Sequence, residues 1–506
     1  YLQSYLKTKK RSNSLYLSRK TLPHLPQNVY HPKFDLSQLT PGILHLGCGN
    51  FHRAHQAVAT QAAINREGPD GLKWGIVSAT MRRPDLVNQL RPQDNLYTLL
   101  TRVEDRTVAS VIGSIHEMVF SGDEAVDLSE RVADPRIRIV SLTVTASGYY
   151  LTADGRLDPE AQAIQQDLSA PHPRTAIGIL ANGLALVKQR GAVPPVILCC
   201  DNVSHNGATL RQAVMDYASL RGDDRLAAWI GEAVQFPDTM VDRIAPSSHV
   251  DDVADAKHAL GGIVDAAPVS AEPWFQWIIG SFDGSRPYWE AHPGTKFVQD
   301  VAVFEAAKLQ MLNGSHMLLA YTGALAGLNT IAEAASDPSL GRITARFMRD
   351  EQTASIALSA EELDDYTQAL MVRFQNPGIV HDAERVGRNG SAKMADRVMR
   401  AMRDNLVAGR SVSGASLLIA SWIRWFALND QDALELSLTD PKAKILQRIC
   451  AEARDDHKAQ AEAFLAMEEV FGPPLPDHDR IVAEIAGLLR RLTEEDVPSV
   501  LRELAA

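Results

Sequence analysis

The sequence is poor in cysteine, in net positive charge and in long apolar runs. It has four cysteines in 506 residues, and none of them are spaced as CxxC. So few thiols exclude a disulfide scaffold in a chain of this length, and reduced thiols in a cytoplasm are the expectation. The most apolar stretch, residues 415–423, stops at Arg424, far short of the roughly 20 residues that a membrane span needs. We therefore predict a cytoplasmic protein without a membrane segment.

The charge balance is acidic, with 51 basic and 62 acidic residues and a formal net charge of -11. This charge opposes association with a phosphate polyanion, so nucleic acid is excluded as a main partner. The composition, 45% hydrophobic and 22% charged, is that of an ordinary globular chain. Its length predicts two or three domains.

The first residues differ in composition from the rest of the chain. Residues 1–20 carry six basic side chains, no acidic one and no real hydrophobic region, so they do not form a secretory signal. We expect residues 1–35 to be an N-terminal extension that stands outside the folded domains.

The first clear element is the apolar run of residues 43–46, which leads into Gly47-Cys48-Gly49 and then into helix-favouring residues. This order predicts a strand, a glycine turn and a helix. Helical stretches separate most of the further strand candidates, which are residues 74–79, 108–115, 137–144 and 196–200. Strands that alternate with helices predict a parallel sheet.

Helix boundaries are well marked before the last of these strands, where Thr175 can cap a helix and Gly191 can end it. After about residue 290 the chain becomes mainly helix-forming. The sequence therefore predicts an α/β domain over residues 36–287 and a mainly α-helical domain over residues 288–506.

Gly47 and Gly49 form the first half of a dinucleotide-binding fingerprint, in which glycines let backbone N–H groups approach a pyrophosphate. His52 replaces the third glycine, and a plain strand-to-helix turn is the alternative interpretation. The second strand is followed by Arg82 with no acidic residue before Asp85. A carboxylate there would hold the ribose of NAD and an arginine can accept the phosphate of NADP, so the choice of cofactor stays open.

His52 and His55 form an HxxH pair without a glutamate or a matching third ligand. Such a pair is more often structural than metal-binding, so we predict no metal. Asn202 follows a predicted buried strand, which puts it at the ligand-binding edge of a parallel sheet. A plain asparagine turn or cap is the alternative.

Lys308, Asn313 and His316 interrupt an apolar helical stretch. At about 100° per residue, a continuous α-helix would project all three side chains into one half-face. Gly314 would then leave room for a ligand or for the other domain. The alternative is a snorkelling lysine beside a core histidine.

Taken together, the motifs resemble those of the polyol-specific long-chain dehydrogenases, the family of mannitol 2-dehydrogenase and fructuronate reductase. The matching segments run in order from about residue 40 to residue 395, and the combination is specific although each piece is weak. They are residues 47–56, 141–145, 148–149, 200–202, 206–207, 236–237, 240–244, 272–273, 276–277 and 311–316.

The resemblance implies an N-terminal Rossmann-type, doubly wound domain, a helical C-terminal domain, a site between them and no metal. It implies that Lys308 is the general acid and base and that Asn202 and Asn313 bind the reacting oxygen. His316 would orient the substrate and Glu305 would assist proton passage. It also implies contacts to NAD, with NADP as the alternative, from Gly47, Gly49, Asn50, Phe51, Arg53 and Arg82, and contacts to substrate from Asp242, Arg373 and Lys393.

Two departures from the family pattern bear on the substrate. Ala146 stands where the family usually carries glutamate, and Asp382 stands where the uronate-reducing branch carries arginine. We predict an enzyme that interconverts a polyol, similar to mannitol or arabinitol, and its 2-ketose. We also predict that the enzyme is a monomer. A sugar-acid oxidoreductase of the fructuronate type is the close alternative. A nucleotide-binding regulatory protein that has lost activity is the rival from another class.

Overall fold

The computed structural model describes residues 15–104, 106–152, 154–378, 381–430 and 439–506. Contacts between residues divide the chain into a first unit, Tyr1–Val301, and a second unit, Ala302–Ala506. The division lies beyond residue 287, where the sequence predicts the domain boundary. The reason is that residues 295–298 form a strand that pairs within the first unit.

The strands of the described residues all belong to the first unit. In chain order they are β1 Pro41–Leu46, β2 Gly75–Thr80, β3 Tyr97–Val103, β4 Arg106–Ile112, β5 Ile115–Phe120, β6 Ile139–Leu142, β7 Val196–Cys199, β8 Thr239–Asp242, β9 Val269–Ala271, β10 Gln276–Gly280 and β11 Thr295–Val298.

The central sheet has the order β5-β2-β1-β6-β7, and every pair in it is parallel. All residues of β1, β2, β6 and β7 are buried, which is typical of a parallel sheet covered on both faces. The strand order reverses between β1 and β6, and doubly wound folds bind ligands beyond the carboxyl ends of strands at such a point. The predicted doubly wound domain is confirmed.

Two smaller sheets complete the first unit, with the orders β11-β10-β8 and β4-β3-β9. The prediction of one strand over residues 108–115 is wrong, because β4 and β5 belong to different sheets. Gly113 separates them at a crowded point, where a Cβ atom would lie 2.7 Å from Pro32 and 2.8 Å from Leu36.

The N-terminal residues that the structure describes belong to the first unit, which corrects the prediction of an extension over residues 1–35. Leu17 and Val29 are buried in a cluster with Leu96 and Leu100. Tyr16 also forms a backbone bridge to Val264. Apolar side chains therefore attach this segment from residue 15 onward, whereas residues 1–14 lie outside the described residues.

The α-helices of the first unit lie between its strands, and the last of them packs against β3. They are Asn50–Ala54, Gln56–Glu67, Asp85–Leu90, Leu128–Val132, Gln162–Ser169, Ala176–Gln189, Asn206–Leu220, Asp224–Ala233 and Val250–Ala259. Short 3₁₀ turns are Leu22–His24, Gly68–Trp74, Arg91–Gln93, Ala146–Tyr149 and Trp289–Ala291. Thr175 caps Ala176–Gln189 by accepting a hydrogen bond from the Gly178 N–H at 3.0 Å, as predicted.

The second unit contains helices, the turns that join them and, between Thr330 and Asp382, an isolated backbone bridge. Its α-helices are Ala302–Ala307, Ser315–Leu325, Ile331–Ser336, Pro338–Arg346, Ala360–Phe374, Ala383–Gly387, Arg400–Val407, Ser413–Asp430, Ala443–Glu452, His457–Leu465, Glu468–Phe471, His478–Glu494 and Val497–Ala505. Three further segments are π-helical, namely Lys308–Gly314, Phe347–Gln352 and Ala395–Met399.

The core of the second unit is one apolar cluster to which the helices Ser315–Leu325, Ser413–Asp430 and His478–Glu494 contribute. Ile481 and Ile485 are buried within it, as their helical spacing predicts. None of the helices in the described ranges combines the length and the hydropathy that crossing a bilayer requires.

Candidate functional site

The glycine turn, Gly47–Gly49, follows β1 at the point where the strand order reverses. The N–H groups of Gly47 and Cys48 donate to the Ala79 carbonyl at 2.9 and 2.8 Å. Gly47 has φ +100°, and a Cβ atom there would lie 2.2 Å from the Thr143 carbonyl oxygen. Only glycine can therefore occupy position 47 without a shift of the backbone.

Gly49 differs from Gly47 in both its backbone conformation and its surroundings. Its φ of -137° suits any residue, and a Cβ atom would meet nothing in the chain closer than the Gly47 carbonyl oxygen at 3.9 Å. The space beside Gly49 is thus open, and it lies where the helix Asn50–Ala54 begins. An open cradle at this turn fits the pyrophosphate of a dinucleotide.

Asn50 and Arg53 hold the glycine turn in place. Arg53 is buried, and its guanidinium donates to Asn50 Oδ1 at 2.8 Å and to the Ala267 carbonyl. Asn50 donates in turn to the Pro246 carbonyl at 2.8 Å. Phe51 is half-buried. The predicted contacts of these three side chains to the cofactor stay predictions.

His52 and His55 have separate packing environments. His52 Nε2 lies 2.9 Å from Ser78 Oγ, and its ring is stacked on His45 at 3.5 Å between centroids. His55 Nε2 lies 3.0 Å from the Gln276 carbonyl oxygen. Burial lowers the pKa of His55 to about 3 and that of His52 well below its usual range. Both rings are neutral packing groups, and no cluster of metal-ligating side chains occurs in the part of the chain described.

Asp201 joins the ends of β6 and β7. Its carboxylate accepts hydrogen bonds from the backbone N–H groups of Val144 and Thr145 and from the Tyr149 hydroxyl, each at 2.9 Å. Burial nevertheless raises the pKa of Asp201 above its ordinary value. Sequence reasoning selected the exposed Asn202 and missed its neighbour, although an aspartate directly after a buried strand was a visible signal.

The end of β2 carries Arg82, which is exposed and is followed by the exposed Arg83. No acidic side chain precedes Asp85 after this strand. The arrangement leaves a cation, and no carboxylate, at the end of the second strand. The predicted contact of Arg82 to the cofactor stays a prediction.

Asp242 ends β8 and is 4% exposed, so it belongs to the interior of the first unit. It accepts a hydrogen bond from Trp274 Nε1 at 2.9 Å. The neighbouring Arg243 is also buried and donates to the Glu272 carbonyl oxygen from two nitrogens, at 3.1 and 2.9 Å. Burial lowers the pKa of Arg243 to about 10. The predicted substrate contact of Asp242 stays a prediction.

In the second unit, Lys308, Asn313 and Gly314 lie on the π-helical segment Lys308–Gly314, called the lysine segment below. A π-helix has i→i+5 hydrogen bonds, so the angles that the sequence argument took from a continuous α-helix do not apply. Lys308 is buried, with 9% of its surface exposed, and Asn313 is half-buried. Glu305 lies half-buried on the helix before the segment.

Gly314 has a different role from the predicted one. A Cβ atom on it would lie 2.5 Å from Gln352 Nε2 and 2.7 Å from the Arg397 carbonyl oxygen. Residues of the second unit itself therefore fill the space that the sequence argument reserved for a ligand or for the other domain.

His316 follows the lysine segment and is 7% exposed. Its ring lies 4.6 Å from the Phe374 ring and 5.1 Å from the His381 ring. Its Nε2 atom is buried and makes no hydrogen bond within the described residues. Burial lowers the pKa of His316 well below its usual range, and the nearby charges of Arg373 and Lys393 lower it further. The imidazole is therefore neutral, with a nitrogen available for a ligand.

The cations near His316 are Arg373, Lys393 and Arg397. Lys393 Nζ donates to the carbonyls of Val386, at 3.3 Å, and Arg388. Burial and then the charge of Arg397 lower the pKa of Lys393 to about 8. Sequence reasoning proposed Arg373 and Lys393 and missed Arg397, because nothing in its local pattern separates it from a solvent-exposed arginine.

Family descriptions match both units. The mannitol dehydrogenase Rossmann domain matches residues 41–291, and the mannitol dehydrogenase C-terminal domain matches residues 300–493. The chain belongs to the mannitol dehydrogenase family. It is an oxidoreductase of that family, and the resemblance inferred from the motifs is confirmed.

Relatives within the mannitol dehydrogenase family are named for different substrates. A mannitol 2-dehydrogenase of Cereibacter sphaeroides is 34% identical over 95% of this chain and 100% of its own length. The D-mannonate oxidoreductase of Escherichia coli is 34% identical over 92% of this chain and 96% of its own length. The Pseudomonas fluorescens mannitol 2-dehydrogenase, solved as a ternary complex with NAD and D-mannitol, has 33% identity and a TM-score of 0.80 over 97% of this chain and 99% of its own.

Proposed function

We propose that this mannitol dehydrogenase family member interconverts a polyol and its 2-ketose with NAD. The observation that carries the proposal is that one unit holds, eight positions apart in the chain, the buried Lys308 and the neutral His316, whose Nε2 makes no hydrogen bond within the described residues. A buried amine and an imidazole with a free nitrogen suit a substrate that presents hydroxyl groups. The family membership supplies the reaction class.

The glycine turn supports the choice of a dinucleotide, because Gly49 leaves an open cradle that a Cβ atom would enter. The turn at Gly47–Gly49 would hold the pyrophosphate of NAD, which would supply the acceptor for the hydride that leaves the substrate carbon. The Pseudomonas relative was solved with NAD, which favours the same cofactor for this chain. NADP is the alternative, supported by the exposed Arg82 after β2.

In the proposed reaction, Lys308 accepts the hydroxyl proton during oxidation and returns it during reduction. Lys308 is buried, so its amine would meet the substrate hydroxyl away from bulk water. Asn202 and Asn313 donate hydrogen bonds to the developing alkoxide, which needs dipoles rather than another charge. His316 orients the substrate through Nε2, and Glu305 passes the proton onward.

Asp242, Arg373 and Lys393 are proposed to bind the remaining hydroxyl groups. Asp382 favours a neutral substrate. It is exposed next to His381, and its negative charge acts on that imidazole by raising its pKa, against the lowering caused by burial. A carboxylate held near Asp382 would be repelled.

A sugar acid is the second candidate substrate, and two observations favour it. Arg373, Lys393 and Arg397 act together on His316, and several cations at one place suit a carboxylate. The D-mannonate oxidoreductase of Escherichia coli is also among the relatives.

Replacing Lys308 by alanine tests the acid and base role. We expect turnover to fall by about 10²–10⁴-fold, while NAD affinity, measured by titration of the purified protein, stays as in the wild type. Turnover retained in Lys308→Ala would remove Lys308 from the mechanism.

Treatment with EDTA tests the metal independence that the resemblance implies. A loss of turnover that added zinc reverses would contradict it.

The substrate class is tested by steady-state kinetics on mannitol, arabinitol and sorbitol beside mannonate and fructuronate. We expect higher kcat/KM on a neutral polyol or ketose. An efficiency at least about tenfold higher on the acids, or about 1.4 kcal/mol, would favour the second candidate. Turnover on none of them would favour the regulatory alternative. The monomeric state and the cytoplasmic location stay predictions, and size-exclusion chromatography with light scattering tests the first.

A further inference from the structure

The three π-helical segments of the second unit pack against one another. The lysine segment contacts both Phe347–Gln352 and Ala395–Met399. π-helices are rare because their i→i+5 geometry is intrinsically poor, and they occur mostly as short insertions at functional sites. Packing from neighbouring elements must therefore hold the lysine segment in this form.

Gln352 makes the contact that joins the three segments. Its side chain is fully buried, and Nε2 donates to the Arg397 carbonyl at 3.0 Å. The same Nε2 atom lies 2.5 Å from the place where a Cβ atom of Gly314 would be. The amide thus fills the space between the end of the lysine segment and the segment that carries Arg397.

Gln352 is itself fixed by its neighbour along the chain. The Glu351 carboxylate accepts hydrogen bonds from the N–H groups of Gly414, at 2.7 Å, and Ala415, at 3.0 Å. Asn405 Nδ2 donates to the Glu351 carbonyl at 2.7 Å. The carboxylate bonds attach Phe347–Gln352 to the start of the long buried helix Ser413–Asp430, and the Asn405 bond attaches it to the helix Arg400–Val407, so the amide of Gln352 projects from a segment held on two sides.

We propose that Gln352 is a positioning residue for the reaction. It holds the lysine segment in the π-helical form that sets where Lys308 and Asn313 present their polar groups. The inference rests on the role of Lys308 in the proposed function. A misplacement of a reacting group by about 1 Å can lower the rate about 100-fold, so a contact that fixes this segment affects turnover without touching the substrate.

Gln352→Met tests the inference, because methionine has similar length and volume but cannot donate to the Arg397 carbonyl. We expect kcat to fall by about 10- to 100-fold with NAD affinity unchanged. We also expect the pH dependence of kcat/KM to shift, since the surroundings of Lys308 change. A residue with a merely structural role would leave the pH profile in place.

Gln460→Met is the matched control. Gln460 is 2% exposed in the same unit, and its Nε2 donates to the Cys450 carbonyl at 3.4 Å, away from the three π-helical segments. We expect it to lower the melting temperature as Gln352→Met does and to leave kcat and the pH profile unchanged. An equal loss of kcat in both variants would overturn the inference, because it would indicate general loosening of the unit.

Gly314→Ala supplies a second, independent variant. Its added methyl group collides with Gln352, so the effects of Gly314→Ala and Gln352→Met on kcat should be non-additive in the double variant. Additive effects, or wild-type kcat in folded Gln352→Met, would overturn the inference. If Gln352→Met does not fold, Gln352→Asn, which keeps a shortened amide, is held to the same criteria. Lys308→Ala is measured in parallel. Retained turnover in Lys308→Ala would refute the proposed function. If Lys308→Ala loses turnover while Gln352→Met keeps the wild-type kcat, only the positioning role is refuted.

Discussion

The glycine turn of the first unit and the lysine segment of the second unit are built by opposite means. The turn is formed by backbone atoms. Two N–H groups donate to the Ala79 carbonyl, and there is no room for a side chain at Gly47. In the lysine segment, the groups proposed to react belong to side chains, and beside it the amide of Gln352 donates to the Arg397 carbonyl.

The two constructions are sensitive to different kinds of substitution. A site made of backbone atoms depends on φ angles and close approach, so one added methyl group damages it while most side-chain changes nearby do not. A site made of side chains on a strained helix depends on packing from elements distant in sequence. Substitutions outside the site then change its chemistry.

The largest expected effect is that of Gly47→Ala, which tests whether the turn is built from backbone. Strained φ and overpacking against the Thr143 carbonyl each cost about 1–3 kcal/mol, so we expect roughly 4 kcal/mol of lost stability. Urea unfolding of the purified protein measures this loss, and NAD affinity should fall with it.

Gly49→Ala is the control for that comparison, since its Cβ atom meets nothing closer than 3.9 Å. We expect unchanged stability and NAD binding weakened by about tenfold or more, because the methyl group enters the cradle. Equal stability in both alanine variants would contradict the distinction between the two glycines.

The next expected effect is on the pH dependence of stability, through Glu351. This buried carboxyl group anchors Phe347–Gln352, the segment that carries Gln352. Burial raises its pKa from the ordinary 4.5 to about 7, so the folded state keeps a proton that the unfolded chain has lost between these pH values. Its contribution to stability therefore falls as pH rises through this window, by about 3 kcal/mol at most. Glu351→Gln should remove this fall in unfolding free energies measured from pH 4.5 to pH 8.

Glu333→Gln sharpens that test. Glu333 also accepts hydrogen bonds from backbone N–H groups, those of Asn329 and Thr330, but it is solvated and these bonds lower its pKa. Its contribution is present above its unfolded pKa and is lost as pH falls through its folded pKa. Glu333→Gln should thus remove a loss of stability that occurs as pH falls below about 4.5, whereas Glu351→Gln removes one that occurs as pH rises above it, so the unfolding measurements extend down to about pH 3. The same sign in both variants would show that burial does not govern Glu351.

The smallest expected effect is on the choice between NAD and NADP. It tests whether the side chain of Arg82 contributes to cofactor binding in addition to the backbone of the glycine turn. Arg82→Asp should shift the ratio of kcat/KM for NAD over NADP by about tenfold, or 1.4 kcal/mol, because a carboxylate accepts the ribose hydroxyls and repels a 2′-phosphate. Arg66→Asp, an exposed change of equal charge, is the control. An identical shift in both variants would mean that net charge, not contact, selects the cofactor.

Local signals were sufficient to predict several of these features. The helix Ala176–Gln189 was read correctly because its cap, Thr175, acts over three residues. The strand before the glycine turn was predicted from a short apolar run. Lys308, Asn313 and His316 stand out in the sequence because polar residues are rare in an apolar stretch, and their roles stay predictions.

Features that depend on distant packing could not be predicted. Gly113 ends one strand because Pro32 and Leu36 crowd it. The π-helical form of the lysine segment is supported by Gln352, and no spacing rule within residues 308–316 reports that contact. The position of Asp201 after a buried strand is visible in the sequence, but its hydrogen bonds are not, because its two backbone partners lie in the loop after another strand.

The N-terminal segment has a practical consequence for anyone who prepares the first unit by itself. The family match begins at residue 41, but Leu17 and Val29 complete the apolar cluster that contains Leu96 and Leu100. A protein shortened to the matched region would uncover these leucines and lose about 1.5–3 kcal/mol for each buried side chain removed. It would tend to aggregate for that reason alone, and a preparation that starts at residue 15 would avoid the exposed patch.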